Sequence, residues 1–153
     1  MDLAASAAHA ARPLVLVVED DERLGPIVGR MLERSGYDHV LATTGDDALR
    51  AMRDREPVAA VVDIMIAHPD GIEVCRKFRR DSWPGTLVVM SARSSPDDRR
   101  RALAAGADAF LPKPFRLPEL VATLAGVRPA PVSAPDHLDP AAEHEPGPAT
   151  WVR

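Results

Sequence analysis

Four short apolar runs, each ending at polar or charged residues, limit the folds open to this chain more than any other feature. The runs cover residues 14–18, 58–62, 87–90 and 109–111, and they end at Glu19, Asp63, Ser91 and Pro112-Lys113. A charged group at the end of a buried strand is costly unless another charge pairs with it. In an open parallel α/β sheet the carboxyl ends of the strands share one edge, where such folds bind ligands. The pattern therefore predicts that these four ends form one site.

Amphipathic segments between the runs predict helices. In the first segment the apolar residues recur at helical spacing, and all of them are expected to face the core: Leu24, Ile27, Val28, Met31 and Leu32. Gly36 stands where this helix would stop, because glycine commonly ends a helix.

Similar signals predict the remaining elements. They indicate a weak strand at 38–42, a helix capped by Thr44, a helix after 69–71 that buries Val74, Cys75 and Phe78, a strand at 86–90, a helix from Ser95 to about Ala105, and a helix at about 117–125. Five alternations of strand and helix predict an α/β protein with one five-stranded parallel sheet and helices on both faces. This length suits the smaller doubly wound type, the (βα)5 flavodoxin-like arrangement.

Composition excludes several classes of protein. A chain of 153 residues has room for one domain with short tails. Its net charge of −4 offers no basic surface for nucleic acid, so we expect this chain to bind none. The single cysteine excludes a disulfide within the chain. No apolar run approaches the roughly 20 residues that cross a bilayer, so we expect no membrane contact and a cytoplasmic location.

The two ends of the chain differ in composition from its centre. Residues 1–12 are Ala-rich and predict a disordered leader. Residues 128–153 interleave proline with alanine and acids, a composition that cannot bury enough apolar surface to fold. We therefore predict one domain at 13–127 and a disordered tail after it.

Acidic residues dominate the predicted site. Glu19, Asp20 and Asp63 would lie close together, and at an effective dielectric of about 20 such like charges repel by several kcal/mol. A hard divalent cation relieves that repulsion, and Mg²⁺ (or Mn²⁺) prefers carboxylate, water and phosphate oxygens. No Cys or His ligands accompany these acids, which argues against zinc.

The same residues suit phosphoryl transfer. A carboxylate beside a metal can act as a nucleophile and form an aspartyl phosphate, and we assign that part to Asp63. Such a transfer depends on positioning and charge neutralisation more than on acid–base chemistry. The metal, Lys113 and the Ser91 hydroxyl would each bind one phosphoryl oxygen.

Four motifs in this order resemble the receiver domain of two-component response regulators. They are the acidic motif at 17–21, the phosphoacceptor motif at 61–65 with Asp70-Gly71 downstream, the hydroxyl motif at 90–93, and the lysine motif at 105–115. The resemblance covers about residues 13–127. It implies a signalling switch that catalyses only its own phosphorylation and dephosphorylation, rather than an enzyme with a separate substrate.

The resemblance implies a partner and a metal centre. Asp63 would accept a phosphoryl group from a phosphohistidine on a sensor histidine kinase or a histidine phosphotransfer protein. Asp20 and Asp63 would ligate Mg²⁺, the Met65 carbonyl would be a third protein ligand, and Glu19 would act through water.

The resemblance also implies how the signal leaves the site. Ser91 and Lys113 would report phosphorylation, and the aromatic residue three before the lysine, Phe110, would swing inward with Ser91. The face made by the fourth helix, fifth strand and fifth helix would then bind a downstream protein or a second copy of the chain. Residues 99–101, three arginines on the fourth helix, predict a solvated face or an ion-pairing partner surface.

This chain departs from the family pattern beside the site. Ala67 replaces the usual proline four residues after the acceptor, and His68 and Pro69 follow it. Phe110 replaces the commoner tyrosine, so no phenol hydroxyl can anchor either position of the ring. These changes bear on the switch rather than on the groups that would take up phosphate.

Alternatives to a stand-alone regulator follow from the same residues. The chain could be the N-terminal receiver fragment of a larger DNA-binding transcription regulator, with 128–153 as a linker. A haloacid-dehalogenase-type phosphatase would carry a second Asp two residues after the nucleophile, where this chain has Met65. A receiver used only for binding would not need the acids and Lys113 that are present.

Overall fold

The computed structural model describes residues 11–126, in which strands and helices alternate as predicted. The strands are β1 (Leu14–Val18), β2 (Asp38–Ala42), β3 (Ala59–Asp63), β4 (Thr86–Ser91) and β5 (Ala109–Pro112). The helices are α1 (Leu24–Arg34), α2 (Gly45–Arg55), α3 (Gly71–Arg80), α4 (Pro96–Ala104) and α5 (Leu117–Gly126). None of these helices is long and apolar enough to cross a membrane.

The predicted ends of the chain fall mostly beyond this range. Residues 1–10 of the predicted leader, and residue 127 with the predicted tail at 128–153, lie outside the described residues. Within the range, Arg12 donates a hydrogen bond to the Glu33 carbonyl, and its guanidinium lies 3.9 Å from Asp38 Oδ1.

All strands belong to one parallel sheet in the order β2-β1-β3-β4-β5. Helices cover both faces, so the predicted doubly wound arrangement is confirmed. The strand order reverses between β1 and β3, and a crevice at such a reversal is where open α/β sheets bind ligands. Glu19 and Asp63 lie at the carboxyl ends of these two strands.

Side chains that alternate along the strands pack into two hydrophobic cores, one on each face of the sheet. Residues of α2, α3 and α4 pack on one face of the sheet, and residues of α1 and α5 pack on the other. In β5, Phe110 lies in the first core and Leu111 in the second, as the period of a strand requires. Cys75 is fully buried in the first core, where burial raises the pKa of its thiol to about 12 and makes it unreactive.

Side chains and glycines fix the helix boundaries as predicted. The Thr44 hydroxyl accepts the Asp47 N–H at 3.1 Å, and the Ser95 hydroxyl accepts the Asp98 N–H at the same distance. After α4 the chain turns at Gly106, whose φ of +107° is unfavourable for other residues. These local contacts explain why the sequence located the helices well.

The buried face of α1 differs from the predicted one. Val28 and Leu32 are fully buried, but Ile27 is 39% exposed, so its predicted inward orientation is wrong. The reason is Gly29, which is buried and brings the helix backbone against the sheet. A Cβ on Gly29 would lie 2.3 Å from His39 Nε2 in β2. The helix is therefore rotated toward Gly29 and away from Ile27.

The third strand begins one residue later than its apolar run. β3 starts at Ala59, and Val58 is 54% exposed although its N–H still donates to the Leu14 carbonyl at 2.9 Å. From Ala59 to Asp63 every residue is buried, which is typical of a central parallel strand covered on both faces.

Candidate functional site

Three carboxylates meet where β1 and β3 end. Glu19 and Asp63 are each only 3% exposed, whereas Asp20 is exposed beside them. One carboxylate oxygen from each of the three lies within 4.8 Å of the other two. The parallel pairing of β1 and β3 brings these residues together even though they are far apart in the sequence.

Lys113 closes this cluster from the end of β5. Its Nζ donates to Glu19 Oε2 at 2.6 Å and to Asp63 Oδ2 at 2.7 Å. The Lys113 N–H donates to the Ser91 carbonyl at 2.9 Å, which fixes the backbone against β4. The lysine is therefore held by both its side chain and its main chain.

The cluster shifts the affinity of its groups for protons. Burial raises the pKa of Glu19 above its ordinary value, and the hydrogen bond from Lys113 only partly offsets this. Burial alone would lower the pKa of Lys113, but hydrogen bonds to Asp63 and Glu19 raise it. Lys113 is thus charged at neutral pH and pairs with both buried acids.

Asp21, the third acid of the run after β1, accepts hydrogen bonds from the backbone instead. Its Oδ1 accepts the N–H groups of Arg23 at 2.8 Å and Leu24 at 3.1 Å. These hydrogen bonds lower the pKa of Asp21, because they stabilise the carboxylate. Asp21 therefore caps the start of α1.

The loop between β3 and α3 is attached to the site and to α2. The Met65 N–H donates to Asp63 Oδ1 at 2.8 Å, and the Met65 side chain is 51% exposed. In the segment that departs from the family pattern, the Ala67 carbonyl accepts the Gly45 N–H at 2.9 Å and the His68 carbonyl accepts the Asp46 N–H at 2.8 Å. The first turn of α2 therefore holds this loop in place.

Ser91 and Phe110 are both buried, and neither is hydrogen-bonded to the acids. The Ser91 hydroxyl accepts the Arg93 N–H at 2.9 Å, and Phe110 is 7% exposed. The Arg93 guanidinium lies 3.5 Å from Asp98 Oδ1 at the start of α4. The sequence placed Arg93 in the hydroxyl motif at 90–93 but did not predict its contact with Asp98.

Comparison with known proteins identifies the family. A sequence model of the response regulator receiver domain matches residues 15–125. This chain belongs to the response regulator receiver domain family. As a receiver domain of two-component systems it is a signalling module, and its fold and motifs agree with that assignment.

Relatives and solved structures of receivers support the match. Response regulator MprA of Mycobacterium sp. (strain KMS) is 40% identical over 124 residues, which are 80% of this chain and 54% of the relative. MprA of Mycobacterium ulcerans is 41% identical over 110 residues, 72% of this chain and 47% of the relative. The chain thus spans about half the length of these curated relatives.

Two solved structures show the same architecture. The chemotaxis response regulator CheY4 of Vibrio cholerae is 25% identical with a TM-score of 0.72, covering 76% of this chain and 99% of that one. The BeF3-activated N-terminal receiver domain of Klebsiella pneumoniae RstA is 28% identical with a TM-score of 0.69, covering 72% and 94%. The flavodoxin-like receiver fold predicted from the sequence is confirmed.

The receiver's acidic cluster fits a divalent cation. Glu19, Asp20 and Asp63 supply oxygen atoms, which Mg²⁺ and Mn²⁺ prefer. If all three are ionised, the single positive charge of Lys113 leaves two negative charges uncompensated, which is the charge of one such ion. The donor set therefore suits the metal proposed from the sequence.

Substituting Gly71 by alanine is expected to destabilise this receiver by about 1–3 kcal/mol. The added Cβ would lie 2.3 Å from the Asp63 carbonyl oxygen and 2.5 Å from Ile64 Cα, and these backbone atoms cannot rotate away. Chemical denaturation followed by circular dichroism measures the loss. The matched control is Gly25→Ala, whose Cβ would meet its nearest neighbour at an ordinary 3.7 Å. If both variants are as stable as the wild type, the close approach does not constrain the loop.

Proposed function

We propose that this receiver is a phosphoacceptor response regulator of a two-component or phosphorelay system. Asp63 accepts a phosphoryl group from a sensor histidine kinase or a histidine phosphotransfer protein, and the reaction requires Mg²⁺ (or Mn²⁺). The protein acts as a signalling switch and catalyses only its own phosphorylation and dephosphorylation.

The observation that carries this proposal is the double hydrogen bond of Lys113. Its Nζ contacts Glu19 and Asp63 at 2.6 and 2.7 Å, so one ammonium lies between two buried carboxylates. An ion pair exposed at the surface contributes little to stability, whereas these two carboxylates are buried around the ammonium group. A lysine that neutralises a buried acceptor is also placed to neutralise the charge that a phosphoryl group adds there.

The proposed phosphoryl transfer to Asp63 needs correct positioning and charge neutralisation more than proton transfer by the protein. An Asp63 oxygen attacks phosphorus, an O–P bond forms, and the P–N bond to the partner's histidine breaks. The departing imidazole takes a proton from solvent. The signal ends by hydrolysis. Water attacks phosphorus, the bond between phosphorus and the Asp63 oxygen breaks, and phosphate is released as the carboxylate is restored.

The proposed metal centre comprises Glu19, Asp20, Asp63 and the Met65 carbonyl. A bound divalent cation supplies positive charge to the carboxylates and to a phosphoryl oxygen. The Met65 N–H already donates to Asp63 at 2.8 Å, which supports a role for this loop in orienting the acceptor. The Ser91 hydroxyl and Lys113 bind the remaining phosphoryl oxygens.

The output of the proposed switch is a change in the face formed by α4, β5 and α5. The added phosphoryl group favours one of two conformations through Ser91, Phe110 and Lys113. That face then binds a downstream protein or a second copy of the chain. The cytoplasm, where kinase and target would meet it, is the proposed location.

A second candidate is that this receiver is the N-terminal part of a larger DNA-binding transcription regulator. The observation that favours it is that MprA relatives are about twice as long as the matched segment. DNA contacts would then belong to the additional domain. Reading the gene beyond Arg153 distinguishes the two, because an in-frame stop codon directly after it excludes the longer regulator.

The test of the proposed function is metal-dependent uptake of one phosphoryl group. The wild-type chain is incubated with phosphoramidate or acetyl phosphate and weighed intact, with Mg²⁺, with Mn²⁺, and with a chelator in place of metal. We expect one phosphoryl adduct with either metal and none with the chelator. A urea-unfolded sample controls for non-specific modification. An adduct that forms equally without metal, or no adduct from either donor, would contradict the proposal.

A further inference from the structure

We infer that Arg99 is a positioning residue that holds the Phe110 ring in its buried position through a cation–π contact. The contact takes the place of the anchor that a tyrosine hydroxyl would provide. Its consequence for signalling rests on the proposed function, in which Phe110 is part of the switch. The contact itself can be measured without any phosphoryl group.

The three consecutive arginines of α4 have different surroundings. Arg100 lies 2.9 Å from Asp97, and Arg101 lies 3.9 Å from the buried Asp98. Within residues 11–126, no carboxylate oxygen lies within 4.0 Å of the Arg99 guanidinium. Its Cζ instead lies 5.7 Å from the centroid of the Phe110 ring. That distance is within the range of about 6 Å at which a guanidinium is attracted to an aromatic face.

On the side that faces α4, the Phe110 ring has few other means of being fixed. It carries no polar atom, so it cannot be held by a hydrogen bond. The residues of α4 and the following turn that share its core cluster are Ala102, Ala105 and Ala107, all with short side chains. The ring is nevertheless only 7% exposed, and the exposed Arg99 side chain lies over it. Arg99 is thus a polar partner of the ring on its solvent side.

This arrangement biases the switch before phosphorylation. A cation–π contact at an exposed site changes the ratio of inward to outward ring positions by about two- to fivefold. A protein already biased inward needs a smaller differential affinity to complete the change when the phosphoryl group arrives. Arg99 would therefore set the resting level of the switch.

The test is an NMR measurement on protein labelled with ¹³C in the phenylalanine rings. Only three phenylalanines contribute signals, so those of Phe110 can be resolved. The Arg99→Met variant keeps a stem of similar length and helix propensity but removes the charge. We expect its Phe110 signals to shift and broaden, because the ratio of inward to outward ring positions falls about two- to fivefold, with those of Phe78 unchanged. Arg99→Lys, which retains a cation, should largely restore the wild-type signals.

The matched control is Arg100→Met, which removes a neighbouring arginine that faces Asp97 rather than the ring. It should leave the Phe110 signals as in the wild type. If Arg99→Met leaves the Phe110 signals unchanged, or if Arg99→Lys shifts them as much as Arg99→Met does, the inference is overturned. In the first case packing alone holds the ring, and in the second the charge is irrelevant.

A second measurement links the contact to the switch. When phosphoramidate and Mg²⁺ are added, the Phe110 signals of Arg99→Met should move further than those of the wild type, because more of the rings start outward. Equal movement in the two proteins would contradict the proposed bias. Absence of any phosphoryl adduct in either protein would contradict the proposed function, while the result on the unphosphorylated chain still decides the role of Arg99.

Discussion

Replacing Asp63 by asparagine is expected to abolish uptake of the phosphoryl group while leaving the receiver folded. An amide is a poor nucleophile and carries no charge, so it provides neither the attacking oxygen nor the metal's charged ligand. Intact mass after incubation with phosphoramidate and Mg²⁺ should show no adduct. Mg²⁺ affinity, measured by titration calorimetry, should fall about tenfold or more.

The fold should survive this change because the cluster's excess negative charge falls from two to one when its acids are ionised. Lys113 keeps its 2.6 Å contact with Glu19, and one of three mutually repelling carboxylates is removed. The matched control is Asp54→Asn, at an exposed acid of α2 far from the cluster, which should label like the wild type. Stable labelling of Asp63→Asn at the wild-type level would assign the acceptor to another residue.

Replacing Lys113 by methionine is expected to lower the free energy of unfolding by about 3 kcal/mol in metal-free buffer, more than the other substitutions proposed for this receiver. Removing one partner of a buried ion pair leaves the other charge unpaired, and here two carboxylates whose side chains are 1% and 5% exposed lose their cation. Urea denaturation measures the loss. Added Mg²⁺ should restore more stability to the variant than to the wild type, because binding to the native state stabilises it.

The sign of the pH dependence gives a further check on Lys113. Because its pKa is raised in the folded state, the lysine's contribution is fully present below its unfolded value of 10.5 and is lost as the pH rises through the folded value. The stability gap between wild type and Lys113→Met should therefore be constant from pH 7 to about 10 and close above it. Lys77→Met, at the chain's other lysine, should show no such gap. A Lys113→Met variant as stable as the wild type would show that the two contacts contribute nothing.

Much of the fold could be predicted because its signals are local. Apolar runs set the strands, and capping residues such as Thr44 and Ser95 set the helix starts, since both depend on neighbours within a few residues. The parallel sheet followed from the alternation of the two element types. The convergence of Glu19 and Asp63 then followed from topology, because parallel strands end at one edge.

Other features depend on contacts between distant segments and could not be predicted. Ile27 has the spacing of a core residue, but Gly29 packs against His39 and rotates α1 away from it. The cluster of Glu19, Asp20 and Asp63 was predicted, but the role of Asp21 was not, because the turn into α1 directs its carboxylate to backbone N–H groups.

The order of the elements, the sheet edge that carries the polar residues and the kinds of group gathered there can all be read from the sequence. These follow from period, capping and connection rules that act over short distances or through topology alone. Three features depend on the folded chain: that Glu19 and Asp63 both pair with Lys113, how α1 is rotated, and that Arg99 covers a ring while Arg100 faces a carboxylate. Those outcomes depend on distances between atoms that only the folded chain brings together.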